Sequence, residues 1–199
     1  MDFFTSDWHL NDELIREVCK RPFKTAKRMT EVYIKQANLR AKDKTDNIIH
    51  VGDFIQRGLD RGTGVREDQI SAKDVLKQLA ANVVLIEGNH DSNNRCNTVG
   101  KAIFRKVGKI DCIVQHYPST IPGALLVPNE RYTTINICGH VHDKWAFSYD
   151  EANNTLNVNV GIDIYPHMIK ECDLANKIIA YVEKNKMKIH YFLTPPKQH

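Results

Sequence analysis

A chain of 199 residues, 42% hydrophobic and 26% charged, is sized for one substantial core and has the make-up of an ordinary globular protein. Its formal charge of +4 is mild and spread along the chain, which suits an anionic substrate but excludes the dense basic surface of a dedicated nucleic-acid binder. No apolar run reaches the roughly 18 residues a membrane helix needs, and no basic leader precedes an apolar block at the start. The five cysteines (Cys19, Cys96, Cys112, Cys138, Cys172) are scattered and lack any Cys-x-x-Cys pair, which excludes a disulfide framework and a cysteine zinc knot. One domain over residues 1–199, cytoplasmic and away from membranes, is the expectation, and no repeat or linker divides it.

Residues 1–5 are a short apolar start that reads as a strand, followed by Ser6-Asp7-Trp8-His9. The two-residue spacing puts Asp7 and His9 on the same side of an extended segment, where a carboxylate and an imidazole can hold one transition-metal ion. A strand-end turn capped by Asp7 is the plainer alternative. Residues 11–42 read as helical, with Leu14, Ile15 and Val18 on one face, a break at Arg21-Pro22-Phe23, and then Met29, Val32, Tyr33, Ile34 and Leu39. Both faces are expected to cover the core. Residues 47–51 are a second buried-strand pattern, ending in Gly52-Asp53-Phe54 and a Gly-rich, charged loop through Gly64. In that loop Arg57 offers a planar fork of donors to a phosphate, unless it is simply solvated. Residues 71–81 read as a helix with Ser71 as its N-cap.

Residues 83–91 concentrate the most chemistry. A β-branched apolar run ends at Gly88, and Asn89, His90 and Asp91 follow at once. The polar loop 92–97 carries Arg95, a second candidate for substrate contact. Residues 110–115 form the next strand pattern and deliver His116-Tyr117-Pro118, after which a proline-rich loop runs through residue 128. Residues 133–138 deliver Gly139-His140-Val141-His142, again with two side chains aimed one way by their spacing. Four further strands are predicted over 145–149, 156–160, 177–182 and 188–192, the last two closing as a hairpin around residues 183–186. His167, His190 and His199 fit no pattern.

Five strand-like runs therefore end in Asp, Asn or His, and five of the nine histidines fall just beyond them. The set holds no thiolate, so its imidazole, carboxylate and amide oxygens suit manganese first, then iron, zinc or nickel. Seven or eight ligands are too many for one four-coordinate ion and suit a pair sharing a bridging carboxylate. Two divalent ions against Asp7 and Asp53 leave the pocket cationic, which attracts a phosphate and acidifies a water.

The ordered blocks Asp7-Trp8-His9, Gly52-Asp53, Gly88-Asn89-His90-Asp91, His116 and Gly139-His140-Val141-His142 resemble the calcineurin-like metallophosphoesterase superfamily over residues 1 to about 165. Arg21-Pro22-Phe23 and Asn159-Val160-Gly161-Ile162-Asp163 further resemble its compact bacterial and phage members, known mainly as predicted phosphoesterases. The resemblance implies a four-layer α/β/β/α sandwich of two mixed β-sheets flanked by helices. It implies that Asp7, His9 and His142 hold one metal, that Asn89, His116 and His140 hold the other, and that Asp53 bridges them. It also implies that His90 protonates the leaving group while Asp91 orients its ring. Residues 52–58 are similar to the matching segment of protein Ser/Thr phosphatases, except that Gln56 replaces an acidic residue. The expected activity is dimetal phosphoester hydrolysis, a diesterase before a phosphomonoesterase (protein or nucleotide phosphatase), acting on a substrate that could include a nucleotide or nucleic acid. A non-catalytic metal-binding scaffold is the rival from another class, but scaffolds would be expected to lose ligands, and this chain keeps the full set.

Overall fold

The computed structural model describes residues 1–56, 69–94, 96–127 and 129–190. In chain order the elements are β1 (Asp2–Thr5), α1 (Glu13–Val18), α2 (Ala26–Arg40), β2 (Asn47–His50), α3 (Ala72–Gln78), β3 (Asn82–Leu85), β4 (Ala102–Val107), β5 (Ile110–Gln115), β6 (Thr134–Cys138), β7 (Phe147–Asp150), β8 (Thr155–Asn159), β9 (Ile169–Lys170) and α4 (Glu171–Lys184). They build two mixed sheets flanked by helices, an α/β fold of the class expected. The first sheet has the order β3-β2-β1-β9 and the second β4-β5-β6-β8-β7. Within the first, β1 to β3 run parallel and β9 antiparallel. Within the second, β5, β6 and β8 run parallel and the two outer strands antiparallel.

The period-2 geometry of a strand explains why these runs are apolar without alternating. Phe3 and Ile48 point to a core shared with α2 and α3, whereas Phe4 and Ile49 point to a core between the two sheets. A strand buried on both faces must be hydrophobic at successive positions. The other face of the second sheet is different. There Gln115, Asn136 and Asn157 are buried and satisfied by one another, by Ser119, and by the Tyr117 and Leu125 carbonyls of the covering loop. A buried amide without such partners would cost about 1–3 kcal/mol, so the loop is tied down by necessity.

Several predicted elements need correction. The closing hairpin does not form, because residues 177–182 lie within α4. Leu174, Ala175, Ile178 and Val182 recur at helical spacing and enter the inter-sheet core, and Tyr181 stacks on Phe147 with centroids 4.7 Å apart. One helical stripe buries three large side chains together, each worth roughly 1.5–3 kcal/mol, which outweighs the β propensity of adjacent isoleucines. Beyond α4, Ile189 makes only an isolated bridge to Thr133. Strand β4 was not foreseen, since Arg105 and Lys106 blur its alternation at a sheet edge, and β9 is only two residues long. Helix α1 also covers less core than expected: Leu14 and Val18 are 71% and 65% exposed. Ser71 does cap α3, its hydroxyl accepting from the Asp74 amide at 3.2 Å.

Candidate metal centre

All six parallel strands run their carboxyl ends into one seam. Backbone bonds stitch it: Asp7 N donates to Gly52 O (3.0 Å), His9 N to Asp53 O (3.0 Å), Gly139 N to His116 O (3.1 Å) and Ile162 N to Ser6 O (3.1 Å). The chain turns sharply to present its side chains there. Asp7, His9, Asp53, His140 and His142 all have positive φ, between 46° and 71°. Each such residue without a glycine costs of order 1–3 kcal/mol, and the stitching is what holds them. Gly88 is required for a different reason, since a Cβ there would overlap the Asp53 carboxylate and amide.

The expected ligands converge. Asp7, His9 and His142 each bring a donor atom within 4.8 Å of the others, as do Asp7, Asp53 and His116. Asn89 Oδ1 lies 2.9 Å from His116 Nε2 and 3.0 Å from His140 Nδ1, and the two ring nitrogens are 3.2 Å apart. Ligand atoms around a metal at about 2.1 Å sit about 3 Å from one another. Between the groups, Asp53 Oδ2 is 3.4 Å from His9 Nε2 and 3.3 Å from His116 Nε2.

Whether these residues fit a cation can be tested on their protons. His116 Nδ1 lies 2.9 Å from the Val51 carbonyl, which only accepts, so that nitrogen carries the hydrogen. That puts Nε2, the nitrogen left to face a metal, 2.9 Å from the Asn89 oxygen and 3.3 Å from Asp53 Oδ2. Both His9 ring nitrogens lack a hydrogen-bond partner although the residue is 2% exposed. Burial opposes charge on His9 and His116, but the surrounding carboxylates, Asp53 foremost for His116 and Asp12 with Asp53 for His9, outweigh it and raise both to about 9. Burial would raise Asp53, yet the same two histidines hold it well below the usual carboxylate range. Burial and the neighbouring His116 push His140 down, keeping its lone pair free. Protons on His9 and His116 balance the carboxylates when no ion is bound, and divalent cations that displace those protons fit the same donor atoms.

The surroundings assign tasks that the sequence pattern did not. Asp91, expected to orient the His90 ring, is fully buried and accepts instead from the amides of Asp53 and Gly88 (2.8 Å each) and Phe54 (2.9 Å). Three converging amides outcompete one ring for a carboxylate, so Asp91 clamps the bridging loop. The partner of His90 Nδ1 is Gln56 Oε1 at 3.2 Å, and Asn94 Nδ2 meets the same oxygen at 3.3 Å. His90 reaches the His9 and Asp53 donor atoms within 4.8 Å. Tyr117, anchored through the loop over the second sheet, packs its ring edge-on to His116 and His140 at 5.2 and 4.9 Å. Asp163 and Arg21 stand behind His142. The signal for Asp163 was present, since the 156–160 run also ends in a Gly followed two residues later by Asp. Arg57 and Arg95 lie outside the described residues.

The sequence profile of the calcineurin-like phosphoesterases matches residues 3–167. The chain belongs to that family. It is 33% identical over 193 residues to the uncharacterized protein MJ1445 of Methanocaldococcus jannaschii, a match covering 93% of each chain. Its fold is similar to that of a solved protein of unknown function, AQ665 of Aquifex aeolicus, with a TM-score of 0.61, 18% identity, and coverage of 89% of this chain and 98% of that one. A member of this family with candidate ligand clusters at the seam is a metal-dependent phosphoesterase, a hydrolase with a phosphoester substrate. Among the described residues no helix is long and apolar enough to cross a membrane.

Proposed function

We propose that the protein is a dimetal phosphodiesterase, with manganese as the preferred ion. The observation that supports this best is the position of Asp53 Oδ2, between His9 at 3.4 Å and His116 at 3.3 Å, where one carboxylate serves both ligand groups. Asp7, His9 and His142 would hold the first ion, and Asn89, His116 and His140 the second. Bound there, the pair supplies Lewis acidity to the phosphoryl oxygens and lowers the pKa of water toward neutrality. His90 places a ring nitrogen beside the reacting centre while Gln56 accepts from Nδ1. Nε2 then faces the leaving oxygen, and a ring carrying a second hydrogen there would transfer it to that oxygen and be left neutral, with Nδ1–H still on Gln56. Gln56 is a neutral amide, so the ring is oriented without an ion pair. Asp91 keeps the Asp53 and Phe54 amides in register and so acts on the bridge rather than on the acid.

Charge balance favours a diester. Two divalent ions, the Asp7 and Asp53 carboxylates, an attacking hydroxide and a singly charged diester sum to neutrality, whereas a doubly charged monoester leaves an excess negative charge in a partly buried site. All five cysteines are free, in keeping with a cytoplasmic chain. A hydrolysis panel with Mn²⁺ tests the assignment, using bis-nitrophenyl phosphate, nitrophenyl phosphate, cyclic nucleotides, and single-stranded DNA and RNA. The expected result is a kcat/KM for the diester at least tenfold above that for the monoester. Preference for the monoester would reassign the enzyme as a phosphatase, and no turnover of any substrate by metal-loaded protein would favour a scaffold.

A further inference from the structure

Behind the first ligand group lies a buried ion pair that the reaction does not require. Arg21 and Asp163 are 142 residues apart in sequence, and their side chains are 2% and 6% exposed. They meet as a fork on a fork: Arg21 Nε donates to Asp163 Oδ1 at 2.8 Å and Nη2 to Oδ2 at 2.7 Å. The remaining donors of the guanidinium go to the Trp8 carbonyl (Nη1, 2.8 Å), the Asp7 carbonyl (Nη2, 2.7 Å) and the Met29 sulfur (Nη1, 3.6 Å). Those carbonyls flank the peptides joining Asp7 to His9, the two positions with left-handed backbone at φ 57° and 46°. Asp163 Oδ2 in turn faces His142 Nδ1 at 2.8 Å.

We propose that Arg21 and Asp163 form one positioning unit that sets the affinity and geometry of the first metal site alone. The unit reaches all three ligands of that site: Asp7 and His9 through their backbone, His142 through its ring. Among the described residues the unit makes no direct contact with Asn89, His116 or His140: His116 Nδ1 faces the Val51 carbonyl, and the His140 ring meets Asn89 and His116 while its amide donates to Asp7. Asp163 takes two donors from the Arg21 guanidinium, so it meets His142 as a carboxylate acceptor. A carboxylate that only accepts requires a hydrogen on Nδ1, which leaves Nε2 of His142 as the metal-facing lone pair. A lysine could not replace Arg21, since one ammonium cannot grip a carboxylate bidentately and also two carbonyls on another strand. Asp163 itself is brought to the site by the zipper of Ser6 against Gly161 and of Ile162 N on Ser6 O.

This inference rests on the dimetal reading, and the test separates the two. Mn²⁺ titration by calorimetry and electron paramagnetic resonance, on wild type, Asp163→Asn and Arg21→Lys, resolves the two sites. Loss of a partner behind a metal-binding histidine typically weakens binding by about 10- to 100-fold. The expected outcome is that loss at one site only, with spectra of isolated ions replacing those of a coupled pair at limiting metal. Equal weakening of both sites, tracking a lowered melting temperature, would show a merely structural ion pair and overturn the proposal. A second measurement does not depend on variants or on metal: the His142 tautomer in the metal-free wild type, read by nitrogen-15 NMR. A hydrogen on Nδ1 supports the unit, and a hydrogen on Nε2 overturns it. Wild-type protein that binds no divalent ion would sink the dimetal reading, and the tautomer would still judge the unit.

Discussion

Asp53 carries more of the site than any other residue: one oxygen faces both His9 and His116, the other accepts from the His90 amide at 3.0 Å, and its own amide is held by Asp91. Asp53→Asn should therefore abolish activity and lower bound metal from two ions to one or none, measured by elemental analysis of purified protein. His90→Ala should keep both metals and lose about 10²- to 10⁴-fold in rate on a poor leaving group. With nitrophenolate as leaving group the loss should shrink, and an undiminished rate on an alkyl ester would remove His90 from the mechanism. A third residue governs behaviour in acid. His50 is wholly buried against Trp8 and Phe54, with neither ring nitrogen partnered, and burial depresses it from 6.5 to about 3. The folded state thus binds fewer protons than the unfolded state between those values. Stability is complete above about pH 6.5 and falls as pH drops through that window. His50→Leu should remove this component. The wild type should lose about 2 kcal/mol more than the variant between neutral pH and about pH 5 in chelator, read from denaturant midpoints. A site residue such as His116 was legible because a donor just past an apolar run is a sequence pattern. Gln56 and Asp163 stand in sequence motifs too, but their partners, His90 for one and His142 with Arg21 for the other, depend on where the fold brings side chains together.

At the scale of elements, the strands are legible where burial on both faces puts apolar residues at successive positions, as at Ile48 and Ile49, or where Ile135 and Ile137 alternate with a buried amide in Thr134–Cys138. Helix α4 was misread because Ile178, Ile179, Tyr181 and Val182 form a β-like cluster, and only its stripe onto the inter-sheet core decides the case. Edge strand β4 escaped notice because an edge has no second neighbour to demand apolar residues on both faces. The turns between elements matter as much as the elements. Gly88→Ala would press a methyl group into the Asp53 carboxylate, so the loop or the bridge must shift. The expected result is an intact fold by circular dichroism with activity reduced at least tenfold and both metals bound more weakly. Wild-type metal affinity in that variant would show that the loop yields without cost.

Over the whole molecule, the first sheet and its following loops contribute Asp7, His9, Asp53 and Asn89, and the second contributes His116, His140 and His142. On the proposed function, metal held by these residues would be a clasp between two sheets as well as a reagent. Removing it with a chelator should lower the melting temperature and speed amide exchange at the carboxyl ends of both sheets together, since a ligand that binds only the native state stabilises it. Exchange that changes in one sheet alone would contradict the clasp. The central position of β1 has a further bearing on how the protein is made. This strand pairs with β2 early in the chain but also with Ile169–Lys170, and Ser6 pairs with Gly161. On a ribosome, where residues emerge at about 5–20 per second, Asp7 gains His9 and Asp53 early but must wait for more than half the polypeptide before His142 exists. It waits longer still for the segment that locks its backbone. On the proposed function, the first ligand group is complete only once His142 has emerged and is locked only once Gly161 pairs with Ser6, so topology sets the earliest moment at which the nascent chain could hold both ions.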